Sequence, residues 1–197
     1  MAITLDINLI SENLIDLKDL IEYGFCKKFD LKLEDMIYMD NWNWENIRFI
    51  YDIANYGKVL EKGKIVVVNL KSNKLKDLGI YIVKTEKEYV YNLWINTEGY
   101  PELDADVISF DNERFYKKTY YTLGEIIKKL KIKLKTVSIG MEAELEYDEN
   151  IYKIIERSDN MVVWIVEDGV NLDHMLHNYI KSKAEEMDAV IYERRIN

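Results

Sequence analysis

The sequence predicts an α+β fold: a central antiparallel sheet with N-terminal helices and a C-terminal βαβαβ-like section. Apolar residues recur at helical spacing in residues 1–60, and β-branched and aromatic runs dominate residues 61–121. Both patterns alternate in residues 122–197. Because 197 residues is a usual size for one domain, we expect a single α+β domain. A possible subdivision is a helical section (residues 1–60), an antiparallel sheet (residues 61–121) and an α/β section (residues 122–197).

Two helices are predicted in the N-terminal section. The first runs from Ser11, a favourable N-cap residue, to a stop at Gly24. The second begins at Asp40 or Asn43, ends at Gly57 and carries a broad apolar arc, which is typical of a deeply buried helix. Between them, “KFDLKLEDMIYM” alternates loosely between polar and apolar residues, and this alternation favours a strand.

The central section is predicted to consist of strands. Its β-branched and aromatic runs are “KIVVVNL”, “GIYIVK”, “EYVYNLWIN”, “DVISF” and “RFYKKTYY”. Short polar breaks separate most of them, and connections this short join antiparallel neighbours. We therefore expect an antiparallel meander.

The last third alternates helical and strand-like patterns. Helices are predicted at “TLGEIIKKL”, “DENIYKIIERS” and residues 171–187, and strands at “MVVWIVE” and “AVIYERR”. A strand, helix, strand order favours a right-handed crossover and a parallel strand pair. The stretch from Lys131 to Asp148 has two interpretations: a hairpin folded at Gly140 with lysines opposite glutamates, or one long strand kinked there.

Composition limits the classes of function. The formal net charge of −9 argues against non-specific nucleic-acid binding and favours a basic partner. The apolar run “MVVWIV” is far too short to span a membrane, and the N-terminus lacks a basic segment followed by an apolar one. A lone cysteine, Cys26, favours a reducing compartment, so we expect a cytoplasmic protein. Abundant Lys, Ile, Asn and Tyr are typical of an AT-rich bacterial or phage genome.

The two histidines of the chain form a tempting metal motif. His174 and His177 lie three residues apart within a predicted helix, where both could grip one ion. On that helix they fall on the polar side, and Lys181 shares their face. A cation works against a metal site, so we interpret both histidines as solvated.

A group of carboxylates between residues 98 and 113 is a second candidate site. Asp104, Asp106 and Asp111 could hold Mg²⁺ or Mn²⁺, which bind oxygen ligands and need few protein carboxylates when a phosphate also coordinates. Loops are ordinarily polar, however, and a solvated acidic loop is the favoured interpretation. On that interpretation no cofactor is expected.

Aromatic residues are the third candidate, since the chain has 15 tyrosines and 4 tryptophans. Such residues are enriched at protein interfaces, where they combine large area with a polar tip. Core packing accounts for most of them, and Trp42, Trp94 and Tyr100 are our candidates for an exposed interface. The sequence contains no glycine-rich phosphate loop and no G-x-S-x-G motif.

These observations support two hypotheses about function. The leading one is a non-catalytic protein-binding module with an acidic, aromatic-bearing surface, such as an immunity or inhibitor-type protein that neutralises a basic partner. The alternative is a hydrolase that uses a divalent metal and the carboxylates of residues 98–113 on a phosphate-containing substrate.

Overall fold

A computed structural model describes residues 4–22, 30–73, 75, 77–97, 121–141, 145, 147–158, 160–184 and 188–195. The strands of these residues are β1 (Thr4–Ser11), β2 (Lys32–Met39), β3 (Arg48–Phe49), β4 (Ile65–Lys71), β5 (Leu78–Lys84), β6 (Tyr89–Asn96), β7 (Leu134–Met141), β8 (Met161–Glu167), β9 (Tyr179–Ala184) and β10 (Ala189–Arg194). The helices are α1 (Leu17–Leu20), α2 (Tyr56–Leu60), α3 (residues 121–130) and α4 (Ile151–Arg157), and a 3-10 turn spans Ile53–Asn55.

All of these strands belong to one sheet, in the order β3-β2-β4-β5-β6-β1-β7-β8-β10-β9. Every neighbouring pair is antiparallel. The first strand in the sequence, β1, lies inside the sheet between β6 and β7. Strands from the beginning, the middle and the end of the chain therefore share one hydrogen-bonded layer.

One face of the sheet, here called the first face, carries the largest apolar core. Ile7 of β1 points to it, together with alternate residues of the neighbouring strands. Leu20 of α1, Leu60 of α2 and Ile126 of α3 pack against the same cluster. The helices α1, α2 and α3 therefore lie over the first face, whereas α4 packs on the opposite face.

The opposite, second face is apolar at both ends and polar in the middle. At the β8–β10 end, Trp164 and Tyr192 pack under Ile154 of α4. At the β2–β4 end, a smaller cluster includes Met39 and Val67. Between the clusters, alternate residues of β1 and β6 place polar side chains on this face, and these form the floor of the candidate site.

The strand predictions for the central section are confirmed where the structure describes it. “KIVVVNL”, “GIYIVK” and “EYVYNLWIN” form β4, β5 and β6, which pair in sequence order as a meander. Strands also occur as predicted at β2, β8 and β10, and a helix occurs at α4. “DVISF” and nearly all of “RFYKKTYY” lie outside the described residues.

The prediction of an α+β fold with N-terminal helices is wrong, because β1 is the first element of the described residues and these residues form a mostly antiparallel β structure. Ser11 ends β1 and is fully buried, so it caps no helix. The helix that follows, α1, is four residues long, and Asp16 caps it by accepting a hydrogen bond from the Asp19 N–H. A helix this short is stabilised by its buried leucines more than by its own hydrogen bonds.

The second predicted N-terminal helix is also wrong. Residues 40–57 form a turn, β3, the 3-10 turn and the start of α2. The Asn41 side chain accepts a hydrogen bond from the Asn43 N–H, and Asp52 does the same for Ala54. Such side-chain bonds offer the backbone an alternative to the helix. Gly57, the expected helix stop, lies inside α2 instead.

The C-terminal βαβαβ-like section is wrong as well. Residues 171–187 were expected to be helical, but Leu176 N–H donates to the Leu172 carbonyl in a single turn and β9 follows. Because β10 pairs antiparallel with both β8 and β9, the strands form no parallel crossover. Of the two interpretations of Lys131 to Asp148, the hairpin folded at Gly140 is wrong, because Gly140 lies inside β7 and β1 and β8 occupy both edges of that strand. Leu172 and Leu176 still pack in the core, which explains the misleading helical spacing.

Candidate functional site: a groove with an aromatic wall

A groove of about 830 Å³ opens on the second face, over the middle of the sheet. It is lined by Thr4, Asp6, Asn8, Trp42, Tyr81, Val83, Val90, Asn92, Trp94, Leu145 and Tyr147. Such a volume lies within the range of small-molecule and peptide pockets. The lining combines buried polar side chains with several aromatic rings, a mixture that fixes a ligand's orientation and supplies contact area.

The floor of the groove is built on two cross-strand residue pairs between β1 and β6. Asp6 lies opposite Trp94 in the register of β1 and β6, and Asn8 lies opposite Asn92. The Asn92 amide donates to Asn8 Oδ1 at 2.8 Å and to Asp6 Oδ1 at 3.3 Å. The Thr4 hydroxyl donates to Asp6 Oδ2 at 3.0 Å. The strand period of two residues brings these side chains to one face, and their hydrogen bonds hold them in fixed orientations.

The floor is buried although it is polar. Asp6 is 7% exposed and Asn8 is 2% exposed. The Asn8 amide also donates to the Ser138 hydroxyl of β7, at 3.2 Å. A buried polar group without a hydrogen bond costs about 1–3 kcal/mol. This network avoids that cost, because its members form with one another the hydrogen bonds that water would otherwise provide. The network leaves a rigid polar surface under the aromatic rings.

Three aromatic side chains form one wall of the groove. The Tyr81 and Trp94 rings stack with 6.1 Å between centroids and 28° between planes. Trp42 meets Tyr81 edge to face, with 5.5 Å between centroids. Both geometries are favourable for aromatic pairs. The β5–β6 hairpin therefore presents a Tyr81–Trp94 platform, and the turn after β2 adds Trp42 to its side.

The Trp94 indole can lie against β5 because residue 79 is a glycine. Gly79 lies opposite Trp94 in the register of β5 and β6. A Cβ atom on Gly79 would lie 2.9 Å from Trp94 Cζ2 and 2.8 Å from the Val68 carbonyl oxygen. Both distances are shorter than van der Waals contact, so only glycine lets the indole lie against this strand. The indole N–H of Trp94 is buried and meets no hydrogen-bond acceptor among the described residues.

A partly buried ion pair holds the opposite wall of the groove. Lys135 Nζ lies 2.6 Å from Glu88 Oε1, and the Tyr147 hydroxyl donates to Glu88 Oε2 at 2.6 Å. Burial, and then the hydrogen bond to Glu88, raise the pKa of Tyr147 to about 12. Lys135 also donates to the backbone carbonyl of Glu149. These contacts hold Leu145 and Tyr147 against the sheet, where both line the groove.

An exposed aromatic segment, residues 42–51, adjoins the groove through Trp42. Its large apolar side chains are exposed as follows: Trp42 59%, Trp44 46%, Ile47 48%, Phe49 57% and Tyr51 95%. The segment includes β3, which ends the sheet. Scattered single exposures are normal on protein surfaces, whereas a contiguous apolar patch marks an interaction site.

Hydrogen bonds hold the first part of the aromatic segment in shape. The Asn41 amide donates to Glu45 at 2.7 Å, and the Asn46 amide donates to Asp40 at 2.8 Å. Lys64 forms an ion pair with Asp40 at 2.9 Å. The hydrogen bonds from Lys64 and Asn46 lower the pKa of the Asp40 carboxyl below its usual value. These two hydrogen bonds and the ion pair therefore hold the conformation of the turn.

Two residues of this turn have left-handed backbone conformations. Trp44 has φ of 60° and Asn46 has φ of 54°. Asparagine tolerates this region, but a bulky residue there is a genuine outlier. Strain of this kind persists where surrounding structure imposes it and is concentrated at functional sites. Here the hydrogen bonds of the turn impose it, and the Trp44 side chain is left facing outward.

The sequence-predicted site residues have different positions. Trp42 and Trp94 both line the groove, and Tyr81 connects them. Tyr100 and the carboxylates Asp104, Asp106 and Asp111 lie outside the described residues.

The two histidines lie in the turn before β9 and are exposed. The His174 ring centroid lies 5.9 Å from that of Tyr152. No group of three or more His, Cys, Asp or Glu side chains that could hold a metal ion occurs in the part of the chain that the structure describes. No helix of the described residues is long and apolar enough to cross a membrane.

The floor of the groove is a site that was not predicted from the sequence. Its signal was present in “TLDINLIS”, where Asp6 and Asn8 alternate with leucine and isoleucine. In a strand this alternation places both polar residues on one face. Asn92 and Trp94 repeat the pattern in “YVYNLWIN”.

Comparisons with known proteins provide no relative. No protein-family model, no curated protein and no solved structure matches the chain.

Proposed function

We propose that this protein is a non-catalytic binding module that docks a protein partner through the aromatic segment and the adjoining groove. The observation that carries the proposal is the exposure of five large apolar side chains within residues 42–51. Tyrosine and tryptophan dominate the binding energy of many protein interfaces. Trp42 and Trp44 stand on a turn that hydrogen bonds already hold, so less conformational entropy is lost on binding.

The charge of the chain favours a basic partner. Its formal net charge is −9. In the sequence of the segment and directly after it, Glu45 and Asp52 add negative charge, and Arg48 is the positive residue of the segment. Complementary charge speeds association and makes it sensitive to salt. A neutralising protein of the immunity or inhibitor type, which acts by covering its target, fits this surface. The single cysteine favours a reducing compartment such as the cytoplasm for this encounter.

Site-specific crosslinking tests the proposal. A photo-crosslinking phenylalanine analogue in place of Tyr51 should capture a basic protein, because Tyr51 is the most exposed aromatic residue of the segment. The same analogue in place of Ile180, which is 55% exposed on β9, is the matched control and should capture it far less. Phe49→Ser should abolish capture at position 51, and Ile180→Ser should not.

Salt provides the second readout. Raising the ionic strength from about 0.05 M to about 0.5 M should reduce capture steeply, because surface charges are screened over a shorter distance. Equal capture from both positions, or capture that salt leaves unchanged, would contradict the proposal. Crosslinking only to a second copy of this chain would identify the segment as a homotypic interface instead.

Metal titration tests the hydrolase alternative. Calorimetry with Mg²⁺ and Mn²⁺ would favour the enzyme if it showed micromolar binding that Asp104→Asn and Asp106→Asn abolish. A phosphate-containing substrate would then coordinate the same ion. Without such binding, the binding module remains the better account.

A further inference from the structure

The aromatic segment contains an edge strand, β3, whose outer side meets no other strand of the described residues. On its inner side β3 pairs antiparallel with β2, and Phe49 lies opposite Ile37. Directly after β3, the Ile50 N–H donates to the Met36 carbonyl at 2.8 Å. This hydrogen bond identifies the residues of the segment whose backbone groups are used within the sheet.

The backbone of Phe49 faces the open side of the sheet. In an antiparallel pair, one residue directs both its N–H and its carbonyl to the neighbouring strand, and the next residue directs both away from it. Because Ile50 donates its N–H to β2, Phe49 directs its backbone groups away from β2. Backbone groups exposed along a sheet edge are a template for pairing with a further strand.

The side chains beside this edge form an apolar row. Ile37, opposite Phe49, belongs to the smaller cluster of the second face, so the Phe49 ring lies on the second face as well. The Phe49 and Tyr51 rings are exposed and lie 6.2 Å apart, as expected for alternate residues of an extended chain. Between them, Ile50 packs against the largest core on the first face and holds this stretch against the sheet.

An extended segment of another protein is the ligand that fits both features. Its backbone can pair with Phe49, and its alternate side chains can cover the two rings. Since β3 is only two residues long, backbone hydrogen bonds alone are too few to hold an arbitrary strand, and the rings make the addition selective. Glu45 and Asp52 flank the stretch, so basic residues at the ends of the segment fit it. A second copy of this chain, with its net charge of −9, fits less well.

We propose that the basic partner adds an extended strand antiparallel to β3 and covers the Phe49 and Tyr51 rings with alternate apolar side chains. This inference rests on the proposed function, because it concerns the same aromatic segment. The antiparallel direction continues the sheet, in which every described strand pair is antiparallel. The inference adds the conformation of the partner's contact and the sequence pattern that the partner must supply.

A capped peptide tests the edge without the partner. The peptide has equal numbers of valine and threonine in alternation between terminal lysines. In antiparallel addition, the valines that cover the rings also direct their N–H groups to β3, whereas the threonines direct theirs away from it. N-methylation of the valines should therefore weaken binding by at least about tenfold, because it removes the donors that face β3. N-methylation of the threonines should change binding by about twofold or less.

Amide hydrogen exchange locates the bound peptide. In the free protein, the Phe49 amide should exchange at least about tenfold faster than the Ile50 amide, because the Ile50 N–H is bonded to Met36 and the Phe49 N–H faces water. The peptide should slow exchange at Phe49 by about tenfold or more. Exchange on β9 should not change, because Lys181 and Lys183 on that edge disfavour the terminal lysines of the peptide.

Two matched substitutions test the contribution of the rings. Phe49→Thr should weaken peptide binding several-fold, because threonine remains a good strand former and the ring is lost. Ile180→Thr replaces an exposed apolar residue on β9 and should change binding by less than about twofold. If Phe49→Thr does not fold, Tyr51→Thr, at a nearly fully exposed side chain, should still weaken binding several-fold.

The outcomes separate this inference from the proposed function. Equal binding of the two methylated peptides, or slowed exchange on β9 instead of at Phe49, would overturn the inference while capture at position 51 could still stand. A Phe49 amide that exchanges as slowly as that of Ile50 in the free protein would overturn it too. Slowing at Phe49 that depends on protein concentration alone would identify a second copy as the occupant, against the inference. Peptide binding at β3 without any captured partner would contradict the proposed function and leave an edge that accepts strands.

Discussion

At the scale of single residues, the site depends on small side chains as much as on large ones. The indole of Trp94 lies against β5 because Gly79 has no Cβ atom to displace it. Gly57 makes a similarly close approach: a Cβ there would lie 2.7 Å from Leu14 Cδ2. The two glycines differ in what their neighbours can do. Gly79 faces a backbone oxygen and a stacked ring, whereas Gly57 faces the end of a partly exposed leucine.

This difference predicts opposite results for two alanine substitutions. Gly79→Ala should destabilise the protein by about 1–3 kcal/mol, because neither the Val68 carbonyl nor the stacked indole can give way cheaply. Gly57→Ala should be neutral or stabilising by up to about 1 kcal/mol, since Leu14 can rotate and alanine is favoured over glycine in α2. Urea unfolding measures the change in unfolding free energy for both variants. In a ¹H–¹⁵N NMR spectrum, the Trp94 indole N–H signal should move only in Gly79→Ala. A larger loss in Gly57→Ala would refute this account.

At the scale of elements, the sequence patterns predicted strands well and helices poorly. β4, β5, β6 and β8 are regular apolar runs whose form follows from local preference. The predicted helix over residues 40–57 failed because helical spacing of apolar residues does not require a helix. Side-chain bonds from Asn41 and Asp52 supplied a competing local structure. The predicted helix over residues 40–57 also led to the expectation that this segment is buried, whereas the turn exposes its aromatic residues.

The turn that carries the aromatic segment gives a second prediction. Trp44→Gly should leave stability unchanged or raise it by up to about 1 kcal/mol, because relief of the left-handed conformation outweighs the extra flexibility of glycine in the unfolded chain. Ile47→Gly, at an exposed residue with negative φ, should instead lower stability by up to about 1 kcal/mol. Both variants should bind the partner less well. Thermal unfolding and crosslinking at position 51 measure the two effects. A clear loss of stability in Trp44→Gly would show that its side chain supports the fold.

At the scale of the whole molecule, the strand order was beyond sequence patterns. β1 pairs with β6 and β7, which lie far from it along the chain. Periodicity identifies a strand and its faces but does not name its partner. The same limit applies to the site. Asp6 and Asn92 could each be assigned to a polar face, yet only the register places them together with Trp94.

Among the described strands the sheet ends at β3 and β9, and these two edges are protected differently. At one end, β3 is only two residues long. At the other end, β9 is six residues long and carries Lys181 and Lys183, which form ion pairs with Asp173 and Asp168 at 2.9 Å. Natural sheets use short edge strands and edge lysines to prevent pairing with other chains. The lysines of β9 are expected to act in this way, since their exposed ion pairs contribute little stability.

Replacing both lysines should therefore change association more than folding. Lys181→Thr with Lys183→Thr keeps a good strand former on β9 and removes the edge charges, so self-association should rise with protein concentration while unfolding free energy changes by about 1 kcal/mol or less. Lys62→Thr with Lys128→Thr alters net charge equally at exposed positions outside β9 and should leave the protein as soluble as before. Sedimentation and light scattering compare the two pairs. Equal association in both would assign the effect to net charge, whereas association confined to the β9 pair would show that lysines on this strand keep the edge of the sheet from adding another chain.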